Sequence, residues 1–129
     1  MSWFPAVYLW LRDDPTVTSL IESRIFRHGE APQGVTAPYV TWSVVVGTPE
    51  NALDENPRID RFLVQVDCWS DNTGSGSRGV VTLATAVRNA LEPYGYCTDI
   101  GTDERDTDTR RWRLTMTWSL WNHRESEIS

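Results

Sequence analysis

Hydrophobic and polar residues alternate with a period of two in three segments of the chain, which predicts three β-strands. The segments are Tyr39–Val46, Ile59–Trp69 and Arg110–Trp121. One apolar and one polar face per strand is typical of antiparallel sheets, whereas parallel sheets are usually covered on both sides. The residues predicted to face the core are Val40, Trp42, Val44, Val46, Phe62, Val64, Val66, Cys68, Trp112, Leu114, Met116, Trp118 and Leu120.

Apolar residues that recur three and four positions apart predict helices elsewhere in the chain. A helix of about residues 78–92 is ended by Pro93, and its apolar stripe consists of Val80, Leu83, Ala84, Val87 and Leu91. Near the start of the sequence, one helical face is shared by Val7, Tyr8 and Leu11. Asp14 followed by Pro15 predicts the start of a second short helix, whose apolar residues are Val17, Leu20 and Ile21.

Weaker patterns complete the predicted order. Residues 24–27 suit a brief strand, and Tyr96–Ile100 a strand before the last one. Polar loops are expected at 47–57 and 101–109. The order α-α-β-β-α-β-β predicts an α+β fold, with helices packed on one face of an antiparallel sheet of about four strands. We expect residues 1–129 to form a single domain.

Composition excludes several classes of protein. With 40% hydrophobic residues among 129, the chain is able to build its own core. A net charge of −6 argues against a protein that grips the nucleic-acid backbone. We expect no membrane span, because no apolar run approaches about 18 residues. We also expect no secretion signal, because the N-terminus lacks a basic segment followed by an apolar stretch. Cys68 and Cys97 are expected to be free thiols.

One motif resembles a nucleotide-binding loop. Gly74-Ser-Gly-Ser-Arg-Gly79 matches G-x-G-x-x-G, and Asp99 follows at about the distance of the ribose-binding acid. Such a loop must turn directly off a parallel strand so that the helix N-terminus meets the phosphates. Here residues 70–73 intervene and the flanking strands alternate as antiparallel strands do, so a polar turn is the favoured interpretation.

Other candidate chemistry is weaker. His28 and His123 suit solvated surface positions, without a nucleophile beside them. The acidic run from Asp103 to Asp108 lacks the central glycine of a calcium loop. The two histidines and two cysteines do not match zinc-ligand spacing. We therefore expect no catalytic set, no metal and no cofactor, and a protein that is not an enzyme.

Large apolar residues also fall on the polar side of the predicted strands. Leu63, Trp69 and Trp121 lie opposite the predicted core, on the same side as several arginines, namely Arg61, Arg111 and Arg113. Such a face usually meets a partner protein. Aromatic residues on a sheet also stack nucleic-acid bases, so a nucleic-acid-binding module using Trp69 and Arg113 is an alternative, although the acidic charge disfavours it.

The sequence resembles the tail-terminator, or tail-completion, family of long-tailed bacteriophages. The likeness extends over nearly the whole chain and rests on the order of its segments rather than on chemical motifs. These segments are Leu11-Arg-Asp-Asp-Pro15, Ile25-Phe26, Ala31-Pro-Gln-Gly34, Ala37-Pro-Tyr-Val40, Arg61-Phe-Leu-Val-Gln-Val-Asp67 and Leu83-Ala-Thr-Ala-Val-Arg-Asn-Ala-Leu91. The Gly/Ser-rich lead into the helix and the acidic last loop depart from the family pattern.

The resemblance implies a structural virion protein, located at the junction of neck and tail and assembled in the host cytoplasm. It implies a sixfold ring of identical subunits that caps the tail tube, stops its polymerisation and joins it to the head–tail connector or stopper protein. Genomic DNA would pass through the ring without specific binding, and no membrane is involved. The alternatives are a head-side connector or stopper, another ring of the neck or tail, and a small ligand-binding domain using residues 74–79.

Three groups of residues are predicted to carry assembly. The subunit interface is expected at Leu63, Trp69, Arg113 and Trp121. A loop that docks the tail or connector is expected to carry Glu50, Asp54 and Glu55, because long loops in compact domains are often functional. An acidic cluster is expected to line the lumen and keep DNA from binding, formed by Asp103, Glu104, Asp106 and Asp108.

Overall fold

The helices and strands follow one another along the chain in nearly the order that the sequence predicts. The computed structural model describes residues 5–27, 30–32, 35, 38–50, 59–70, 76–101, 104–105 and 111–123. Its helices are α1 (Val7–Arg12), α2 (Pro15–Ile21) and α3 (Gly76–Leu91), followed by a 3-10 turn at Glu92–Tyr94. Its strands are β1 (Ile25–Arg27), β2 (Tyr39–Glu50), β3 (Ile59–Ser70), β4 (Gly95–Ile100), β5 (Glu104–Arg105) and β6 (Trp112–His123).

The strands form one sheet in the order β1-β2-β3-β6-β4, and β5 pairs with β6 as well. The four predicted strands β2, β3, β6 and β4 pair antiparallel with one another. This confirms the predicted α+β class and the order of its main elements. The brief strand expected at residues 24–27 is β1, which runs parallel to β2. One further short strand, β5, pairs with β6.

α3 packs on one face of this sheet, and α1 and α2 pack against α3 and against each other. Asp14 sets the start of α2, because its carboxylate accepts hydrogen bonds from the backbone N–H groups of Thr16 and Val17 at 2.9 and 3.0 Å. The stripe predicted for α3 is buried throughout. In α1, by contrast, Tyr8 is exposed, so the predicted shared face is wrong there and only Val7 and Leu11 enter the core. In the described part of the chain, no helix combines the length and apolarity needed to cross a membrane.

A β-bulge in β2 changes which residues face the helices. Val44 is opposite Val64, whereas Val46 is opposite Leu63, so Val45 is an extra residue in the strand. The insertion turns Val46 to the face away from the helices, where it is 46% exposed. The prediction that Val46 belongs to the core is therefore wrong. Trp112 is also less enclosed than predicted, since it is partly buried against the edge of the core.

The two predicted loops are partly strand. Residues 47–50 continue β2 and pair with residues 59–62 of β3, so Glu50 ends a strand and does not lie in a loop. β1 pairs with β2 only at Val40–Trp42, so Pro49 lies where the far side of β2 has no neighbour among the described residues, a position that tolerates proline. Glu104 belongs to β5 and pairs with Arg113, again in place of the predicted loop.

Candidate assembly surface

The sheet face turned away from the helices, called the outer face from here on, carries the residues predicted to meet a partner. Leu63 and Trp69 in β3 alternate with buried residues, as do Arg113 and Trp121 in β6, and all four are half-buried. Their predicted position on this face is confirmed. Their role in contacts between subunits stays a prediction.

Trp69 is enclosed from two sides at one end of the outer face. The ring of Tyr39 stacks with it, at 5.7 Å between centroids and 7° between planes. The guanidinium carbon of Arg113 lies 5.5 Å from its ring centroid, and its indole N–H donates to Oγ1 of Thr41 at 3.1 Å. Tyr39 and Arg113 belong to the two strands that flank β3. Since a base needs a free ring face to stack on, this arrangement disfavours a nucleic-acid-binding module at Trp69 and Arg113.

Other arginines of the outer face are also held against aromatic rings. Arg111 donates to the carbonyl oxygen of Val35 at 2.7 Å and to the hydroxyl of Tyr39 at 3.3 Å. The guanidinium carbon of Arg61 lies 4.9 Å from the ring centroid of Trp121. A cation over an aromatic face is stabilised by about 0.5–1 kcal/mol at exposed sites. These arginines therefore have defined positions, which lowers the entropic cost of binding a partner.

A buried polar group lies in the middle of the outer face. Asp67 is only 4% exposed; its carboxylate accepts from Oγ1 of Thr115 at 2.7 Å and from Nε2 of Gln65 at 3.3 Å. These bonds offset the cost of burying the carboxylate. The six-residue separation of Leu63 and Trp69 corresponds to about 20 Å along the strand. The four predicted interface residues therefore form two separate pairs, Trp69 with Arg113 and Leu63 near Trp121, rather than one patch.

The predicted acidic clusters are only partly within the described residues. Glu50 ends β2, and Glu104 lies in β5 opposite Arg113. Asp54 and Glu55 lie outside the described residues, as do Asp103, Asp106 and Asp108. The roles of both clusters in docking and in lining a lumen stay predictions.

The glycine motif lacks the structural context of a dinucleotide site. Gly76 and Gly79 already lie within α3, and the preceding strand β3 is antiparallel to both of its neighbours. Two shallow clefts border α3 and have volumes of about 230 and 140 Å³. Neither cleft is lined by residues 74–79. The antiparallel context of the motif disfavours a dinucleotide-binding loop there.

The two thiols have little nucleophilic character. Burial raises the pKa of Cys68 far above its usual range, and the neighbouring charge of Asp67 raises it further. Burial also raises the pKa of Cys97. Thiolate is the reactive form of cysteine, so both groups are poorly suited to catalysis. Among the described residues, no three metal-ligating side chains come together.

Tyr39 and Asp67 are parts of this surface whose roles the sequence analysis missed. Alternation with Val40 and Val66 gave the correct face for both. The stacking of Tyr39 on Trp69 and the burial of Asp67 depend on pairing with other strands, which no local pattern indicates.

Comparisons with known proteins give one family and one fold. The model of the family described as tail completion protein gp17 matches residues 5–121. Among solved structures, the chain is similar to a protein chain from the structure titled "Virion of native gene transfer agent (GTA) particle". The likeness has a TM-score of 0.63 at 18% identity and covers 91% of this chain and 92% of the other, which indicates a shared fold. No curated protein matches the chain.

Proposed function

The chain belongs to the tail completion protein gp17 family, and from this premise we propose that it forms a ring that caps the tail tube. It is a structural protein of a phage-like virion and not an enzyme. In the proposal, identical subunits, six in number as the family resemblance implies, close a ring on the finished tube. The ring ends polymerisation of the tube, binds the connector or stopper protein of the head, and lets DNA pass through its centre.

The observation that carries this proposal is the family match over residues 5–121, which spans all three helices and the whole sheet except the last two residues of β6. The outer face adds physical support. Its arginines are ordered on aromatic rings, and Trp69 and Leu63 remain half-buried there without a covering helix among the described elements. Aromatic residues and arginine are enriched in protein interfaces.

The direct test removes this protein from particle assembly. We expect tails of uncontrolled length that do not join heads, and recovery of uniform tails when the purified protein is supplied again. Electron microscopy of the particles measures tail length and the fraction joined to heads. Tails of normal length in its absence contradict the proposed capping; uniform tails that merely fail to join heads indicate a connector or stopper instead.

A charge reversal tests the proposed role of the outer face. Arg113→Glu removes the cation over Trp69 and places a carboxylate there, so we expect at least a tenfold loss of assembled tails or rings. The matched control is Arg88→Glu, a reversal at an exposed position of α3 on the opposite side of the sheet. Light scattering and particle yield measure assembly, and thermal unfolding checks that both variants fold. Equal assembly by the two variants would show that this face is not an interface.

We also propose roles in assembly for the two acidic clusters. Glu50, Asp54 and Glu55 are proposed to dock the ring on the tail tube or the connector. Asp103, Glu104, Asp106 and Asp108 are proposed to line the lumen, where repulsion of phosphates would keep DNA from binding, within a Debye length of about 8 Å. A structure of the assembled ring decides both assignments, and acidic residues on its outer rim alone rule out the lumen role.

A further inference from the structure

Two edges of the sheet, on opposite sides, are open in the described part of the chain. β4 pairs with β6 on one side and has no described neighbour on the other. β2 pairs with β1 through residues 40–42 only, so residues 43–50 have no described neighbour beyond them. Each open edge presents backbone N–H and C=O groups that another strand is able to pair with.

The two open edges occupy the same position along the strand direction, as the residue pairing from β4 through β6 and β3 to β2 shows. Following the pairing across the sheet, Gly95 is level with Leu120, Phe62 and then Gly47 of β2. At the other end of β4, Ile100 is level with Met116, Val66 and then Trp42. β4 therefore matches residues 42–47 of β2, nearly all of which lie beyond the short strand β1.

The strand directions match as well. β2, β3, β6 and β4 alternate in direction, so β4 runs antiparallel to β2 within one subunit. A rotation about an axis roughly parallel to the strands preserves these directions. The next copy would therefore present its β2 antiparallel to β4, and the alternation would continue from copy to copy.

Exposed apolar side chains occur along both edges. Val45 and Val46 on β2 are 59% and 46% exposed, and Tyr96 and Ile100 on β4 are 50% and 60% exposed. Tyr96 is level with Ser119, Leu63 and Val46, on the same outer face as Val46. A copy placed edge to edge would bring Tyr96 beside the next copy's Val46 and cover both.

We propose that β4 of one subunit pairs antiparallel with residues 43–47 of β2 in a second copy of this chain. The inference rests on the proposed function and identifies the contact that would build its ring. The two edges are different surfaces, so the contact is heterologous and a rotation that closes produces a ring rather than a dimer. Each edge contains a bulge, at Val45 and between Cys97 and Asp99, where the backbone pairing would be interrupted by one residue.

The size of the contact also favours a ring over an isolated pair. A six-residue strand edge is about 20 Å long, too short to bury the roughly 800 Å² per partner of a standard stable interface. In a ring every subunit uses both edges, and the backbone pairing is supported by the row of Tyr96, Leu63 and Val46. Two free copies would accordingly bind each other weakly. Closure of the ring would stabilise the contact, because every subunit then makes it at both edges.

Cysteine cross-linking tests this contact. The background variant is Cys97→Ser, which removes the partly exposed thiol beside Tyr96. On that background one protein carries Tyr96→Cys and another carries Val46→Cys. Directly opposed residues of antiparallel strands have Cβ atoms about 4.5–5.5 Å apart, close to the geometry of a disulfide. We expect the mixture, assembled with tail tubes and oxidised, to give a covalent dimer of twice 14.7 kDa, and the double variant to give a ladder of higher multiples.

The controls separate this contact from other arrangements. Leu9→Cys is similarly exposed but lies on α1, and its mixture with Val46→Cys should remain monomeric on denaturing gels. A dimer from Tyr96→Cys alone would indicate symmetric pairing of two β4 strands and overturn the proposal. Rings that cap tails but show no cross-link overturn the edge contact and leave the proposed function intact. A protein that stays monomeric with and without tubes refutes both.

Discussion

Replacing Trp118 with alanine is expected to lower the free energy of unfolding by about 3–5 kcal/mol. Trp118 is fully enclosed in β6, between Val64 of β3 and Cys97 of β4 in the pairing of the sheet. Its removal leaves a large cavity that neighbouring strands cannot fill without losing their register. A domain of this size is typically stable by about 5–15 kcal/mol, so the variant should unfold far more readily. Chemical denaturation followed by circular dichroism measures the change.

Trp118→Phe is the matched control for this cavity. The indole N–H of Trp118 is buried and has no hydrogen-bond partner among the described residues. Phenylalanine retains much of the apolar volume and removes a donor whose burial is costly. We expect this variant to lose less than about 2 kcal/mol. A loss as large as that of the alanine variant would show that the indole N–H is satisfied in the folded protein.

Gly95→Ala is expected to destabilise the protein by about 3 kcal/mol or to detach β4, because strain of this kind typically costs about 1–3 kcal/mol and occasionally more. A Cβ atom at Gly95 would lie 2.0 Å from the backbone oxygen of Ser119 and 3.0 Å from atoms of Leu120. Its φ of 167° is ordinary extended backbone, so the requirement for glycine comes from the close approach of β6. The displaced atoms belong to the backbone of a central strand, which moves only with the rest of the sheet.

Gly101→Ala is the corresponding control one residue beyond β4. A Cβ there would lie 3.3 Å from the backbone oxygen of Thr115, a tight contact that a small shift relieves. We expect a loss of no more than about 0.5 kcal/mol, the range common for substitutions near the surface. Thermal unfolding compares the two variants, and hydrogen exchange of residues 95–100 detects release of β4. Equal stability of Gly95→Ala and the natural protein would contradict the close approach of β6 to Gly95.

The sequence by itself determined which residues of the main strands face the helices, because period-two alternation is a local property. It placed Val64, Leu114 and Trp118 inside, and Trp69 and Arg113 outside. The stripe of α3 followed equally well from helical spacing. The same local chemistry excluded a credible catalytic set, and the order of segments indicated the family that the comparison over residues 5–121 confirmed.

Only the tertiary structure decided how these surfaces are completed. The bulge at Val45 reverses the face of Val46, because one inserted residue shifts every later side chain of the strand. The three-residue strand β1 leaves most of β2 without a neighbour among the described residues, and the register through β3 and β6 places this part of β2 opposite β4. Register is set by pairing between residues far apart in the sequence, so no local pattern contains it. The row from Tyr96 to Val46, where we expect the next subunit to pair, exists only once those strands are in place.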